Sequence, residues 1–273
     1  MEGSDNQTQI GFPALPEAGH PLRFALLREW LEWCDESHDC NKPKLAKSST
    51  KLPARFLYVG DPQGRDYNPE FLKLVKAGEI GGQKYIALSH CWGKLERGEV
   101  PPYCTTRGNI DNPENPQNNR ENGFKITDLP LTFRHAIEVV RGLNLKYLWI
   151  DSLCVIQGEG GDWEEESKKM EDVYASAYCT IAATSADDSN AGFLTPRHIG
   201  DYAYTQDDLG RQVYVGTDIA DFDNEVEKAR LNTRAWVIQE RFLSRRTIHF
   251  GKNQMYWECG EGVYCEDLTQ LKK

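Results

Sequence analysis

The sequence predicts an α/β fold: a parallel sheet core flanked by helices, with a β-rich addition towards the C-terminal end. Three observations carry that prediction. Between residues 85 and 185, apolar strand-like runs alternate with amphipathic helical stretches, the order expected of a parallel sheet. From residue 212 onward, short strand-like runs dominate. The composition, 39% hydrophobic and 27% charged over 273 residues, is that of a chain able to bury a sizeable core.

The elements follow in order. Residues 1–20 are polar with Gly and Pro and read as a flexible leader; 21–273 read as one domain. Residues 22–34 form a helix with Leu22, Ala25, Leu26, Trp30 and Trp33 on one face. RFLYVG (55–60) is a strand closed by a Gly-Asp-Pro turn, and YIALSH (85–90) is a second strand. Residues 93–127, rich in Asn, Pro, Gly and charge, make a long polar loop. Residues 130–143 make a helix, with Pro130 in the first turn. Its stripe is Phe133, Ala136, Ile137, Val140 and Leu143, and Gly142 and Asn144 stop it. YLWID (147–151) is the next strand. Asp162 is placed to cap a helix over 163–178, with Glu165 reciprocating and Trp163, Met170, Val173, Tyr174 and Ala177 as its buried stripe. CTIAATS (179–185) and QVYVGT (212–217) are strands, 234–243 a helix, and RTIHFG with QMYWECG a hairpin.

Composition excludes several functions. With 32 Lys+Arg against 42 Asp+Glu the net charge is −10, a poor basis for neutralising phosphates, so nucleic acid is not an expected partner. No apolar run approaches the ~20 residues that cross a bilayer. No basic n-region precedes an apolar h-region, so a cytoplasmic location and reduced thiols are expected for the eight cysteines.

In an open parallel sheet, ligands gather at the carboxyl ends of strands. That rule selects Ser89, His90, Trp92 and Gly93 after one strand, Asp151 and Ser152 after another, and Ser185 to Asp187 after a third. A carboxylate at a buried strand end is costly unless hydrogen-bonded or used. This makes Asp151 a candidate, with a cap or ion pair as the plain alternative. In DWEEE (162–166) favourable helix N-terminal charge is the plain reading, with Glu165 or Glu166 able to turn inward. RAWVIQERFLSRR (234–246) offers Gln239, Glu240 and Arg241; its arginines suit a phosphate, the Asp151 carboxylate or a structural ion-pair network. Neither a G-x-S-x-G elbow nor a Gly-rich phosphate loop is present, and His90 and Cys91, as strand neighbours, face opposite ways. No cofactor or metal is expected. The single metal alternative is zinc on Cys34, His38, Cys40, Cys259 and Cys265, whose spacings are unusual and whose halves lie at opposite ends of the chain.

Three ordered blocks, YIALSHCWG (85–93), YLWIDSLCVIQ (147–157) continuing through DWEEESKKMEDVYASAYCTIAATSA (162–186), and LNTRAWVIQERFLSRRTIHF (231–250) with QMYWEC, resemble the HET domain, the fungal heterokaryon-incompatibility domain. LREWLEWCDESHDC and LPARFLYVG resemble segments that often precede the first block. The resemblance implies a cytosolic effector of programmed cell death in fungal non-self recognition, a form of innate immunity. It also implies a distant relation to TIR domains, hence a TIR-like sheet, some of whose members cleave NAD at its glycosidic bond. The TIR glutamate has no counterpart here, since no Glu occurs between Ser185 and Asp201. The carboxylate role then passes to Asp151, Glu166 or Glu240, with Ser89, His90, Trp92, Gly93, Ser152, Gln239 and Arg241 binding NAD or a related nucleotide. The competing expectation is a non-catalytic module that acts by self-association or through a partner recognition protein; it predicts that the motif residues are mostly buried.

Overall fold

The computed structural model describes residues 20–41, 52–65, 67–96, 98–110, 119–197, 202–206, 212–216 and 221–271. The leader lies outside these except for His20, as do residue 97 and residues 111–118 of the polar loop. Among the described residues ten strands form one sheet: β1 (Arg55–Tyr58), β2 (Phe71–Lys76), β3 (Ile86–Ser89), β4 (Phe124–Lys125), β5 (Tyr147–Trp149), β6 (Cys179–Ala182), β9 (Arg246–Phe250), β10 (Met255–Cys259), β11 (Gly262–Cys265) and β12 (Gln270–Leu271). Their spatial order is β12-β11-β10-β9-β6-β3-β5-β1-β2-β4. β7 (Tyr202–Gln206) and β8 (Gln212–Gly216) pair separately as an antiparallel ribbon.

The sheet is mixed, which corrects the expectation of a parallel core. Among the strands of this sheet, parallel pairing is confined to the central run β5-β3-β6-β9. The other six neighbour pairings are antiparallel. The reason is chain length between strands. β9 to β12 are joined by two- to four-residue turns, which permit only antiparallel neighbours, whereas β3, β5, β6 and β9 are separated by helices. The expected hairpin is β9–β10, with Ile248 opposite Trp257. β2, β7, β11 and β12 carried no reading in the sequence, and β4, with the short helix Arg107–Ile110, lies in the stretch read as a long polar loop.

Helices cover the sheet: α1 (Pro21–Ser37), α2 (Arg107–Ile110), α3 (Leu131–Gly142), α4 (Asp151–Cys154), α5 (Trp163–Glu166), α6 (Met170–Ser176) and α7 (Ala235–Leu243). In α3 all five stripe residues are buried, Pro130 takes the cap position, and Asn144 ends the helix in the left-handed region at φ 57°. The helix expected over 163–178 is broken instead into α5, a 3-10 turn over Ser167–Lys169 and α6. Asp162 makes no side-chain cap there. Its carboxylate accepts from Ile156 N at 2.7 Å and pairs with Arg55, so a tertiary partner outbids the local one. Trp163 is exposed, while Met170, Val173, Tyr174 and Ala177 are buried as expected.

α1 also turns a different face inward. Arg23, Leu27, Trp30, Leu31 and Cys34 are buried, whereas Leu22 is 59% exposed. Arg23 is drawn in by Glu266, which lies beyond β11 and also pairs with Arg197 and accepts from Met255 N at 2.9 Å. Trp30 packs on Trp257 with ring centroids 6.2 Å apart, tying α1 to β10. No helix among the described residues is long and apolar enough to cross a membrane.

The buried carboxylate of Glu266 faces two buried guanidinium groups, so its removal is expensive. Glu266→Ala is expected to lower unfolding stability by about 3–5 kcal/mol, read from the midpoint of urea unfolding.

Candidate functional site

The site begins where β3 ends. Ser89 and His90 are buried and are followed by Trp92 and Gly93, both half-buried. Gly93 turns the chain with φ +95°, and a Cβ there would meet the Cβ of Asp188 at 2.9 Å. Only glycine combines that backbone with so close an approach. β3 lies between β5 and β6, so the chain leaving β3 and the chain leaving β5 emerge side by side at one edge.

From β5 the chain runs through Ile150 into Asp151, the first residue of α4. One Asp151 oxygen accepts from the Ser152 amide at 2.7 Å, and the other accepts from the Trp92 indole N–H at 2.9 Å. Part of the polar loop braces this corner. Thr105 N donates to Ser152 O at 3.0 Å, and Gln157 N donates to Thr105 O at 2.7 Å. Asp151 remains half-buried, so this side of the group reaches solvent.

The third contribution comes from α7. Glu240 is buried, and Ser89 Oγ donates to its carboxylate across the end of the sheet. α6 and α7 lie side by side, bringing the buried Tyr174 hydroxyl to Glu240 and to Leu88 O at 3.2 Å. Arg234, just before α7, donates to His90 O. Burial pushes the Glu240 carboxyl up to about 7; the Asp151 charge adds to that, while Ser89, Arg234 and Tyr174 oppose it. His90 is held down at about 4 by burial, with Asp151 working the other way, so its imidazole is neutral near pH 7. Among the described residues, its Nε2 and the Ser152 hydroxyl are buried without a hydrogen-bond partner. The ring stands edge-on to Phe133 at 4.9 Å and stacks on Trp92 at 6.4 Å.

Chemically, this is a pair of carboxylates in unlike settings. Asp151 is held by two N–H donors near solvent, while Glu240 is buried and sits at its titration point near neutral pH. Residues 85–240 contain all of it, and this stretch matches the family model described as Heterokaryon incompatibility protein (HET). The chain belongs to the HET family. Membership ties it to heterokaryon incompatibility in fungi. Comparison with curated proteins and with solved structures gives no match.

Of the residues singled out in this HET sequence, Ser89, His90, Trp92, Gly93, Asp151, Ser152 and Glu240 are brought together. Glu166 does turn inward, but its two oxygens accept from Ala54 N at 2.9 Å and Lys169 Nζ at 2.6 Å, where it anchors the chain entering β1. Arg241, next to Glu240, is held by Glu258 at 2.7 Å and by Glu227 at 2.9 Å, and so belongs to an ion-pair cluster with His249. The side chain of Gln239 lies outside the described residues. Cys91 packs with Ala182, Leu231 and Val237 and makes no dyad with His90. Tyr174 and Thr105 were missed as site residues. A hydroxyl on an otherwise apolar helix stripe was the only signal for Tyr174, and Thr105 gave none. Of the zinc candidates, Cys34, His38, Cys40 and Cys259 converge, whereas Cys265 packs separately with Val226, Tyr256 and Val263.

The Glu240 carboxyl binds its proton more tightly in the folded chain (about 7) than at the ordinary value of 4.5. Its contribution to stability is therefore present below the ordinary value and is lost as pH rises through about 7. His90 titrates with the opposite sign in an overlapping range, but wild type and Glu240→Gln share it. The variant is expected to match wild type below about pH 4.5 and to exceed it by roughly 3 kcal/mol above about pH 8, measured as unfolding stability against pH.

Proposed function

We propose that this HET chain is a cytoplasmic cell-death effector of fungal non-self recognition that hydrolyses the glycosidic bond of NAD or a related nucleotide. The observation that carries the reading is that Asp151, at the end of β5, and Glu240, reaching from α7 to Ser89 at the end of β3, are close enough for the Asp151 charge to act on the buried Glu240 carboxyl, which is poised at about 7. The TIR-like part of the reading rests on the central parallel run β5-β3-β6-β9.

In this chemistry the bond between ribose C1′ and the pyridinium nitrogen breaks, and its electron pair leaves with nicotinamide. Asp151 stabilises the positive charge that develops on the ribose, and its own donors, Trp92 and the Ser152 amide, keep it fixed in place. Glu240 accepts the proton of the water whose oxygen bonds to C1′, a role suited to a group titrating near working pH. Trp92 supplies an aromatic face beside the strand ends, and the unpartnered Ser152 hydroxyl and His90 Nε2 offer polar contacts to a nucleotide.

A second reading is favoured by a different observation. Ser89, His90, Ser152 and Glu240 are all buried, as expected if the motifs build a core and the chain signals through self-association or a partner recognition protein.

Purified protein at high concentration separates the two. If it is an enzyme, NAD turns over to nicotinamide and the rate rises with pH through about 7, as Glu240 loses its proton. Glu240→Gln and Asp151→Asn should each lower the rate by about 100-fold or more while the protein remains folded. Absence of turnover under forced self-association, in a protein whose surface variants lose cell-death activity, would support the signalling module instead.

A further inference from the structure

Apart from the strand-end site, one cluster of chemistry-bearing side chains stands out. Cys34 lies in the last turn of α1, His38 caps that helix, Cys40 lies in the 3-10 turn Asp39–Asn41, and Cys259 ends β10. Their ligand atoms all lie within 4.8 Å of one another. Cys34 and His38 are four apart on a helical path and so face the same way, and Cys40 returns to that point through the following turn. Cys259 arrives from the far end of the chain, its Sγ 3.6 Å from His38 Nδ1.

We propose that Cys34, His38, Cys40 and Cys259 bind a structural zinc ion. Three thiolates and one imidazole are a closed tetrahedral donor set for zinc, with no position left for water or substrate. Zinc–sulfur bonds of about 2.3 Å imply sulfur–sulfur edges near 3.8 Å, so the cluster needs to contract by roughly 1 Å at most to close on the ion. The surroundings suit a fixed ligand sphere. Cys34, Cys40 and Cys259 are buried, and none of them is in a disulfide. Trp33 stands edge-on to the His38 ring at 4.2 Å and to Tyr264 at 4.8 Å, which orients the imidazole. Gly260 lets the turn after β10 press against Cys40; a Cβ there would lie 3.2 Å from its Sγ. A cleft of about 560 Å³, lined among others by Cys40, Cys259, Gly260 and Phe242, borders the cluster and gives the ion a way in.

Zinc here clamps α1 to β10, joining segments that both lie outside the HET-matched residues 85–240. The site is independent of the Asp151–Glu240 pair, so the proposal stands or falls without reference to NAD chemistry.

The test is elemental analysis of the full chain, purified under reducing conditions without added metal or chelator. About one zinc per chain is expected. Replacement by cobalt(II) should give the intense d–d absorption and sulfur-to-metal charge transfer of a tetrahedral thiolate site. Cys34→Ser and Cys259→Ser should lose the metal, while Cys265→Ser, altered outside the cluster, should keep it. Folded wild-type protein that binds neither zinc nor cobalt(II) would overturn the proposal. So would equal metal loss in Cys265→Ser and Cys34→Ser, or a Cys34–Cys259 disulfide found by mass spectrometry in protein never exposed to oxidant. Zinc content and the cobalt spectrum are read on wild type, and the Cys265→Ser comparison counts only for variant protein that remains folded.

Discussion

Parallel pairing of β3 with β5 on one side and β6 on the other is the constraint from which the site follows. Parallel neighbours cannot be joined by a hairpin, so each strand is left by a crossover, and every exit falls on the same edge of the sheet. Trp92 and Asp151 lie 59 residues apart in sequence, and Ser89 and Glu240 lie 151 apart, yet each pair shares a hydrogen bond because of that edge. The antiparallel strands on either side extend the sheet. They shield the central strands, all of which are buried on both faces.

What a buried carboxylate does in this molecule depends on the kind of partner it finds. Glu240 is met chiefly by hydroxyls, from Ser89 and Tyr174, with the charge of Arg234 set against that of Asp151; burial wins, and the group titrates near neutral pH. Glu258, half-buried, is met by His249 and by the Arg241 guanidinium, and is held far below the ordinary carboxylate range. Arg241 and Glu240 are chain neighbours on α7 that serve these two opposite environments. One helix thus carries a titratable group towards the strand ends and a structural cation towards β10.

The two ends of the described chain close on each other. α1 rests on β10 through Trp30 and Trp257, Arg246 of β9 bonds Asp35 at 2.7 Å, and Arg23 reaches Glu266. Segments outside the HET match therefore complete the sheet whose centre carries the HET motifs. The cysteine–histidine cluster sits at that same closure, between the end of α1 and the turn after β10.

By itself, the sequence determined what periodicity and turn chemistry control. The α3 stripe from Phe133 to Leu143, the β9–β10 hairpin and the strands ending at Ser89 and before Asp151 were legible because each is specified by residues a few positions apart. The strand-end rule selected Ser89, His90, Trp92 and Asp151, which the fold places beside one another, and the family resemblance offered Glu240 as one of three carboxylates with Asp151 and Glu166. Only the tertiary structure decided the rest. It rotated α1 so that Arg23 faces Glu266, gave Asp162 to Arg55 and Ile156 instead of a helix end, and took Glu166 and Arg241 into structural pairs. It separated Cys265 from the other candidate ligands and brought Tyr174 and Thr105 to the site. For Arg23, Asp162, Glu166 and Arg241 the physical reason is the same. A charged or polar group pays a desolvation cost that depends on the partner it meets after folding, and that partner lies too far along the chain for local pattern to reveal it.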